Sequence, residues 1–590
     1  MKEEQTLRFT SLGILLTLLP ILIFYRIVSL QLDPEIREPI LDSLIQNQNE
    51  NRKIVPVRGE IVDRKGQLMA SNQRSYEVGI DLNRLVSPHE VALALNLILG
   101  REVRDLEEDI AWAQEKGYNY LVADDFVSQE QIDKLDEWIK KTEASNDPKE
   151  AISLRGIRYS KHLKRSYPNQ KLAANIMGFV GWEDKKEEQS GIHGVEGYYN
   201  DMLAGKVYRI KLPRIPDAAQ DINLVPEGAS LVLTLDREIQ AMTEDVLDHN
   251  LKRNGSDSGT IIIMDPLTGE ILAMATTPRL DPNRYWEFLD EYPKGVSFNQ
   301  AISQPYEPGS VFKPLTVAAA LDSGSITSDF NYVDQGVLEY AGAYIYNWNR
   351  GAWGPQDLLG CLQHSLNVCL ATLSTKHMGN DVFYDYMKRF GIGHKTGIDM
   401  EGEISGFLKT PNEGYWHESD LATNAFGQGL TTTPLQMAMA ISALANEGQM
   451  MVPHIVKSYA QLGYQTDIDQ RIAGVPVRSE TARMLTDLLT QSLVQEASDA
   501  LVPGYSVAGK TGTAQFATES GYHPYLTNAS FVGYGPVDHP RFLVYIWFEK
   551  PQSSPWGSEV AAPVFSELVQ KLVVLMDIPP DDIRMKLLGQ

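Results

Sequence analysis

With 590 residues, 43% of them hydrophobic and 22% charged, the chain has the composition of a folded globular protein too long for one ordinary core, so at least two domains are expected. Its net charge of -24 argues against nucleic acid as a partner, because a phosphate backbone requires a basic footprint. No His/Cys/carboxylate cluster has metal-ligand spacing, and no cofactor is expected.

Phe9 to Tyr25 is an uncharged run, extended by Ile27, Val28 and Leu30 beyond a single Arg26 that can snorkel to an interface. This predicts a transmembrane anchor over 9–31, in which Pro20 is tolerable. A cleaved signal peptide fits less well, since no small-x-small site follows and the run exceeds a usual signal core. Lys2 and Arg8, offset by Glu3 and Glu4, put a tail 1–8 in the cytoplasm and the body outside it, on a single-pass membrane protein. Leu32 to Arg52 is polar and reads as a helical stalk.

The stretch from Arg58 to Ala70, with its turn glycines and charges, reads as a hairpin. Between Glu102 and Lys141, apolar residues at helical spacing on a charged background predict surface helices. Leu231 to Asp236, followed by a helix from Ile239, opens a second domain. Thr260–Met264 and Ile271–Met274 flank the turn Asp265-Pro266-Leu267-Thr268-Gly269, and Ser530–Tyr534 with Phe542–Phe548 make a second hairpin. Between them, Ser310 to Gly448 reads as mainly helical. Strands at both ends with helices between predict an α+β domain whose antiparallel sheet is closed by non-sequential strands.

Pro308 and Gly309 punctuate the chain ahead of a run of helix formers, which places Ser310 at a helix N-terminus with Lys313 on the same face. An amine within reach of a hydroxyl is the arrangement of a nucleophile beside its base. Cys361 and Cys369 flank Ser365. On one continuous helix they would lie about 12 Å apart, too far to pair, whereas a break at Ser365 would bring them nearer; two buried thiols are expected. The segment Asn347-Trp348-Asn349-Arg350-Gly351 reads as a surface turn.

Ser310-x-x-Lys313, then Ser365-Leu366-Asn367, then Lys510-Thr511-Gly512-Thr513 resembles the active site of the penicillin-binding proteins and their serine β-lactamase relatives. Arg58 to Ala70, Arg165-Ser166-Tyr167-Pro168 and Gly191 to Glu196 resemble the three N-terminal boxes of the class B, monofunctional members. Gly427-Gln428-Gly429 and Ala561 to Phe565 resemble family segments around the active site, so the resemblance runs from Arg58 to Phe565. It implies a pedestal (dimerisation-like) domain over 32–225, a β-lactamase-like transpeptidase domain over 226–577 and a tail over 578–590. Two decoys are set aside. Ser297-Phe298-Asn299 precedes the nucleophile, and Lys395-Thr396-Gly397 runs into an acidic, turn-rich stretch that should leave Lys395 exposed. Glu183-Asp184 with His193-Gly194 lacks the aromatic and basic residues of a glycosyltransferase motif.

The resemblance implies a serine D,D-transpeptidase that cross-links peptidoglycan stem peptides and is acylated by β-lactams. Ser310 would be the nucleophile and Lys313, neutral through burial and the nearby Lys510, its base. The backbone N–H groups of Ser310 and Thr513 would hold the oxyanion; Ser365 would relay the proton and Asn367 would hold the donor amide. Lys510, Thr511 and Thr513 would bind the terminal carboxylate, with Gly509 and Gly512 keeping the strand edge open. Tyr306-Glu307-Pro308-Gly309 and the compact third box look more like the septal than the elongation type. The family also implies a polytopic membrane glycosyltransferase and division-complex proteins as partners. A silent scaffold, a β-lactamase and a β-lactam sensor are the competing readings.

Overall fold

The computed structural model describes residues 13, 16–29, 38, 49–144, 153–183, 188–213, 226–411, 413–518 and 521–587. The predicted tail 1–8, most of the stalk, Asp184 and residues 588–590 lie outside the described residues. Within the predicted anchor, residues 16–29 are helical and expose Leu16, Leu19, Leu22 and Phe24. Among the described residues, no helix is long and apolar enough to cross a membrane.

Residues 1–57 and 205–228 form one unit. In it Asn49–Ile54 pairs antiparallel with Tyr208–Pro213, from Asn49 opposite Pro213 to Ile54 opposite Tyr208. Residues 49–52 of the predicted helical stalk are therefore strand, not helix. Asn49 and Asn51 are poor helix formers, and a partner strand satisfies their backbone groups.

The second unit comprises 58–204 and 229–590. Its first box is the expected hairpin, with Ile61 opposite Ala70 and Val62 opposite Leu68. Ile61–Val62 also pairs in parallel with Ser230–Leu233, which is antiparallel to Val456–Gln461, so one sheet runs from the boxes into the second half of the chain. The helices Val103–Glu115 and Gln129–Ala144 flank the strand Tyr120–Val127 and bury Leu106, Ile110, Ile132 and Leu135, as their apolar spacing predicts. The three boxes meet at Glu196, which is fully buried. Its Oε2 accepts from Arg58 Nε at 2.7 Å, and its Oε1 from Arg165 Nε at 2.6 Å and Tyr167 OH at 3.2 Å.

The larger sheet is antiparallel, in the order Ile271–Thr276, Ser258–Met264, Phe542–Glu549, Gly521–Gly535, Ala508–Thr518. The two predicted hairpins are present, and strands distant in sequence meet at the centre. Ser258–Met264, Ile271–Thr276 and Phe542–Glu549 are covered on both faces and are mostly apolar. Ile261, Ile263, Val544 and Ile546 pack under the helices Arg237–Asn254 and Ala562–Leu575; Ile262, Met264, Leu543 and Tyr545 face the helical layer around Lys313–Asp322. The middle of the chain is less uniformly helical than expected. It carries two small antiparallel pairs, Asn331–Asp334 with Gly354–Asp357 and Val337–Tyr340 with Ala343–Tyr346. Ala508–Thr518 ends the sheet, with one edge unpaired among the described residues, beside the helical layer.

Candidate active site

Ser310 lies in a one-turn 3-10 segment, Gly309–Phe312, that runs straight into the helix Lys313–Asp322. Gly309 has φ +61°, which a side chain would resist, and its N–H donates to Gly427 O at 3.0 Å. This turn packs against the edge strand. A Cβ on Gly512 would lie 2.8 Å from Val311 Cγ1 and 2.2 Å from Ser530 Oγ. The glycine thus serves close packing inside the protein, not the open strand edge expected from sequence. Gly509 likewise abuts Phe531, at 2.7 Å from a built Cβ.

Lys313 is wholly buried. Its Nζ lies 2.6 Å from Ser365 O, 2.8 Å from Asn367 Oδ1 and 3.0 Å from Ser365 Oγ. Burial, then the positive charge of Lys510, pushes the Lys313 amine well below the ordinary lysine range, and Glu496 opposes the shift. A neutral amine has two N–H donors and one lone pair. Ser365 O and Asn367 Oδ1 can only accept, so they take the two donors and leave the lone pair for a hydroxyl proton.

Lys510, also wholly buried, lies 3.1 Å from the same Ser365 Oγ. Ser365 therefore bridges the two lysines. It sits in the left-handed region at φ +51°, where the chain turns between the helices Leu358–Gln363 and Asn367–Thr372. That turn overturns the expectation of two separate buried thiols. With the helix broken, Cys361 and Cys369 stand 5.9 Å apart at Cα and form a disulfide across the Ser-x-Asn turn.

Two partners of the site had no clear signal in the sequence. Glu496, at the end of the helix Ser479–Glu496, contacts both Lys510 Nζ and Thr511 Oγ1. A lone glutamate in a helix fourteen residues before Lys510 carries no motif. The Asn347 to Gly351 segment, read as an ordinary turn, is tied to the Ser-x-Asn helix. Asn347 Oδ1 accepts from Val368 N at 3.1 Å and Trp348 Nε1 donates to His364 O at 3.2 Å. Trp348 also meets Trp556 edge-on at 5.3 Å between ring centroids. Next to Trp556, Gly557 N donates to Thr513 Oγ1 at 3.1 Å, which leaves the Thr513 hydroxyl its proton to donate.

The decoys fall elsewhere. Lys395 is exposed and the Thr396 amide is held by Glu403 at 2.6 Å, while Asn299 caps the short helix Gln300–Ser303. The structure brings together Lys313, Ser365, Asn367, Lys510 and Thr511 by hydrogen bonds, with Gly512 and Thr513 on the strand beside the Ser310 turn.

A serine at a helix start, a buried lysine behind it and a second lysine on an edge strand define a serine acyl-transfer fold. Comparison with known proteins makes this specific. Residues 259–570 match the penicillin binding protein transpeptidase domain, and 53–212 the penicillin-binding protein dimerisation domain. The chain is 30% identical over 546 residues to stage V sporulation protein D of Bacillus subtilis, covering 90% of this chain and 80% of that one. It is 26% identical over 609 residues to a protein of Pseudomonas aeruginosa named as a probable peptidoglycan D,D-transpeptidase PbpC, covering 99% and 97%. The fold is shared with penicillin binding protein 3 from Mycobacterium tuberculosis, at a TM-score of 0.67 and 24% identity over 90% of this chain and 98% of that one. The chain belongs to the class B penicillin-binding proteins.

Proposed function

We propose that the protein is a D,D-transpeptidase that cross-links peptidoglycan stem peptides through an acyl-enzyme on Ser310. The observation that carries this is the hydrogen-bonded series Lys313, Ser365, Lys510 next to the Ser310 turn. Ser310 Oγ attacks the penultimate D-Ala carbonyl while its proton passes to the Lys313 lone pair. The N–H groups of Ser310 and Thr513 receive the oxyanion. The proton then moves from Lys313 through the Ser365 hydroxyl to the departing D-Ala nitrogen, and the C–N bond breaks. A stem-peptide amine attacks the ester and gives a proton to Lys313, which passes it to Ser310 Oγ as the ester C–O bond breaks, so that the serine hydroxyl and the neutral amine are both restored. Lys510 and the Thr513 hydroxyl bind the donor's terminal carboxylate, and Asn367 holds its amide. A β-lactam presents the same carbonyl and carboxylate and stops at the acyl-enzyme.

The relatives' names support this reading, since proteins matching most of this chain are named peptidoglycan D,D-transpeptidases. Residues 9–31 act as a single-pass anchor, with the pedestal over 32–225 and the transpeptidase domain over 226–577 outside the cell membrane. A disulfide beside the site suits that oxidising side. The protein works in septal wall synthesis with a polytopic glycosyltransferase. The experiment is a coupled assay with a thioester peptide donor and a D-amino-acid acceptor. The full chain should form the exchange product and Ser310→Ala none; hydrolysis without exchange would make it a hydrolase, and equal activity of the variant would remove Ser310 from the role.

A further inference from the structure

Glu496 is the one acidic side chain that contacts both Lys510 and Thr511 among the described residues. Its side chain is 6% exposed, and its Oε2 is buried with no donor among the described residues. The glutamate is therefore not one member of a broad structural network. Its hydrogen bonds run to two residues of the Lys-Thr-Gly strand, which in the proposed reaction receives the donor's carboxylate. A threonine hydroxyl has one proton, and that of Thr511 is directed to Glu496. The Thr511 hydroxyl expected from sequence to bind substrate is thus engaged by the protein itself.

A carboxylate buried against the anion-recognition strand opposes anion binding unless it does something else. Without it, the wholly buried Lys510, which shares the Ser365 hydroxyl with Lys313, would bring uncompensated positive charge into a dry site. We propose that Glu496 is a positioning residue for transpeptidation: it locks Lys510 and Thr511 into one charge-balanced unit and thereby sets the positive charge that Lys313 and the donor carboxylate meet. This rests on the reading of Ser310 as the acylated residue and Lys313 as its base.

The groups around Glu496 leave this part to few others. Lys510 faces it from the edge strand, and Lys313 from the start of the nucleophile helix. From the helix Leu358–Gln363, the neutral Gln363 meets the neighbouring Gln495; Asp357 caps its own helix at Gly360 N, and His364 stacks on Trp353. Asp499, on the turn Ser498–Ala500, is exposed.

The test follows the rate of acylation of the full chain by a fluorescent penicillin across pH, for wild type, Glu496→Gln, Glu496→Asp and Ser310→Ala. Glu496 holds Lys313 toward its protonated form. Removing its charge must therefore move the acid limb of the profile to lower pH. Glu496→Asp keeps the charge and should keep the wild-type limb, whatever happens to its plateau. A limb that stays in place in Glu496→Gln, with only the plateau reduced, would show a structural role alone and overturn the proposal. So would complete loss at every pH in a variant that still melts like wild type, because the carboxylate would then be a reacting group. If Glu496→Gln does not fold, an unshifted limb in Glu496→Asp is still required, and a shifted one overturns the proposal. Labelling of Ser310→Ala would instead defeat the reading of Ser310, independently of Glu496.

Discussion

At the scale of single residues, the chemistry turns on Lys313. Its base form exists above its own pKa, which burial and Lys510 hold well below the ordinary lysine range. Acylation should therefore keep its plateau to well below the ordinary lysine range and fall only as pH drops through that lowered value. An unshifted lysine would instead lose activity already below about pH 10. Lys313→Arg cannot shed its proton, and acylation should fall about 1000-fold while the fold persists. Stopped-flow labelling by a fluorescent penicillin measures both. That Lys313, Ser365, Asn367 and Lys510 come together was legible because motif order carries them. Glu496 was not, because its position follows from the packing of the helix Ser479–Glu496 against the edge strand, which no local pattern encodes.

At the scale of elements, the Ser-x-Asn segment is a turn held from two sides. The disulfide Cys361–Cys369 closes it, and the Asn347 and Trp348 contacts hold its flank. Replacing both cysteines by alanine should lower stability by about 2 kcal/mol and slow acylation severalfold by loosening Ser365. A melting curve beside the labelling rate reads both effects, and intact mass should rise by about 2 Da on reduction of the unfolded chain. The sequence left the pairing open because it turns on the helix break at Ser365, whose φ of +51° is not a property of serine.

The loop at Gly427 is the second such element. Its φ is +78°, and a Cβ there would stand 2.4 Å from Gly309 O, against the nucleophile turn itself. Gly427→Ala should cost about 1–3 kcal/mol and at least about tenfold in acylation, through displacement of Ser310. Wild-type acylation by that variant would show that the turn is positioned from elsewhere. The antiparallel sheet was readable from its two hairpins. The small pairs within 331–357 were not, since four-residue strands leave too short a period to separate from loop.

At the scale of the whole molecule, the three boxes near the N-terminus are read best through Glu196. Burial alone would raise its pKa, but Arg165 and Arg58 outweigh that and lower it. A carboxylate with a depressed folded pKa contributes stability above its unfolded value, near pH 4.3, and loses it as pH falls through the folded value. Glu196→Ala leaves two guanidinium groups without their partner and should cost about 3–5 kcal/mol, enough to abolish accumulation of a marginal fold. Thermal melts across pH 3–7 test this; a variant as stable as wild type would show that the boxes do not depend on the cluster. The box residues were recognisable as motifs, but that they converge on one buried carboxylate became visible only in the fold.

The most direct test of the central claim is the intact mass of the full chain, followed for hours after a β-lactam is added, with Ser310→Ala alongside. The wild type should carry a persistent one-to-one adduct and the variant none. An adduct of equal yield on Ser310→Ala, or one that disappears within minutes as the drug is hydrolysed, would contradict that claim.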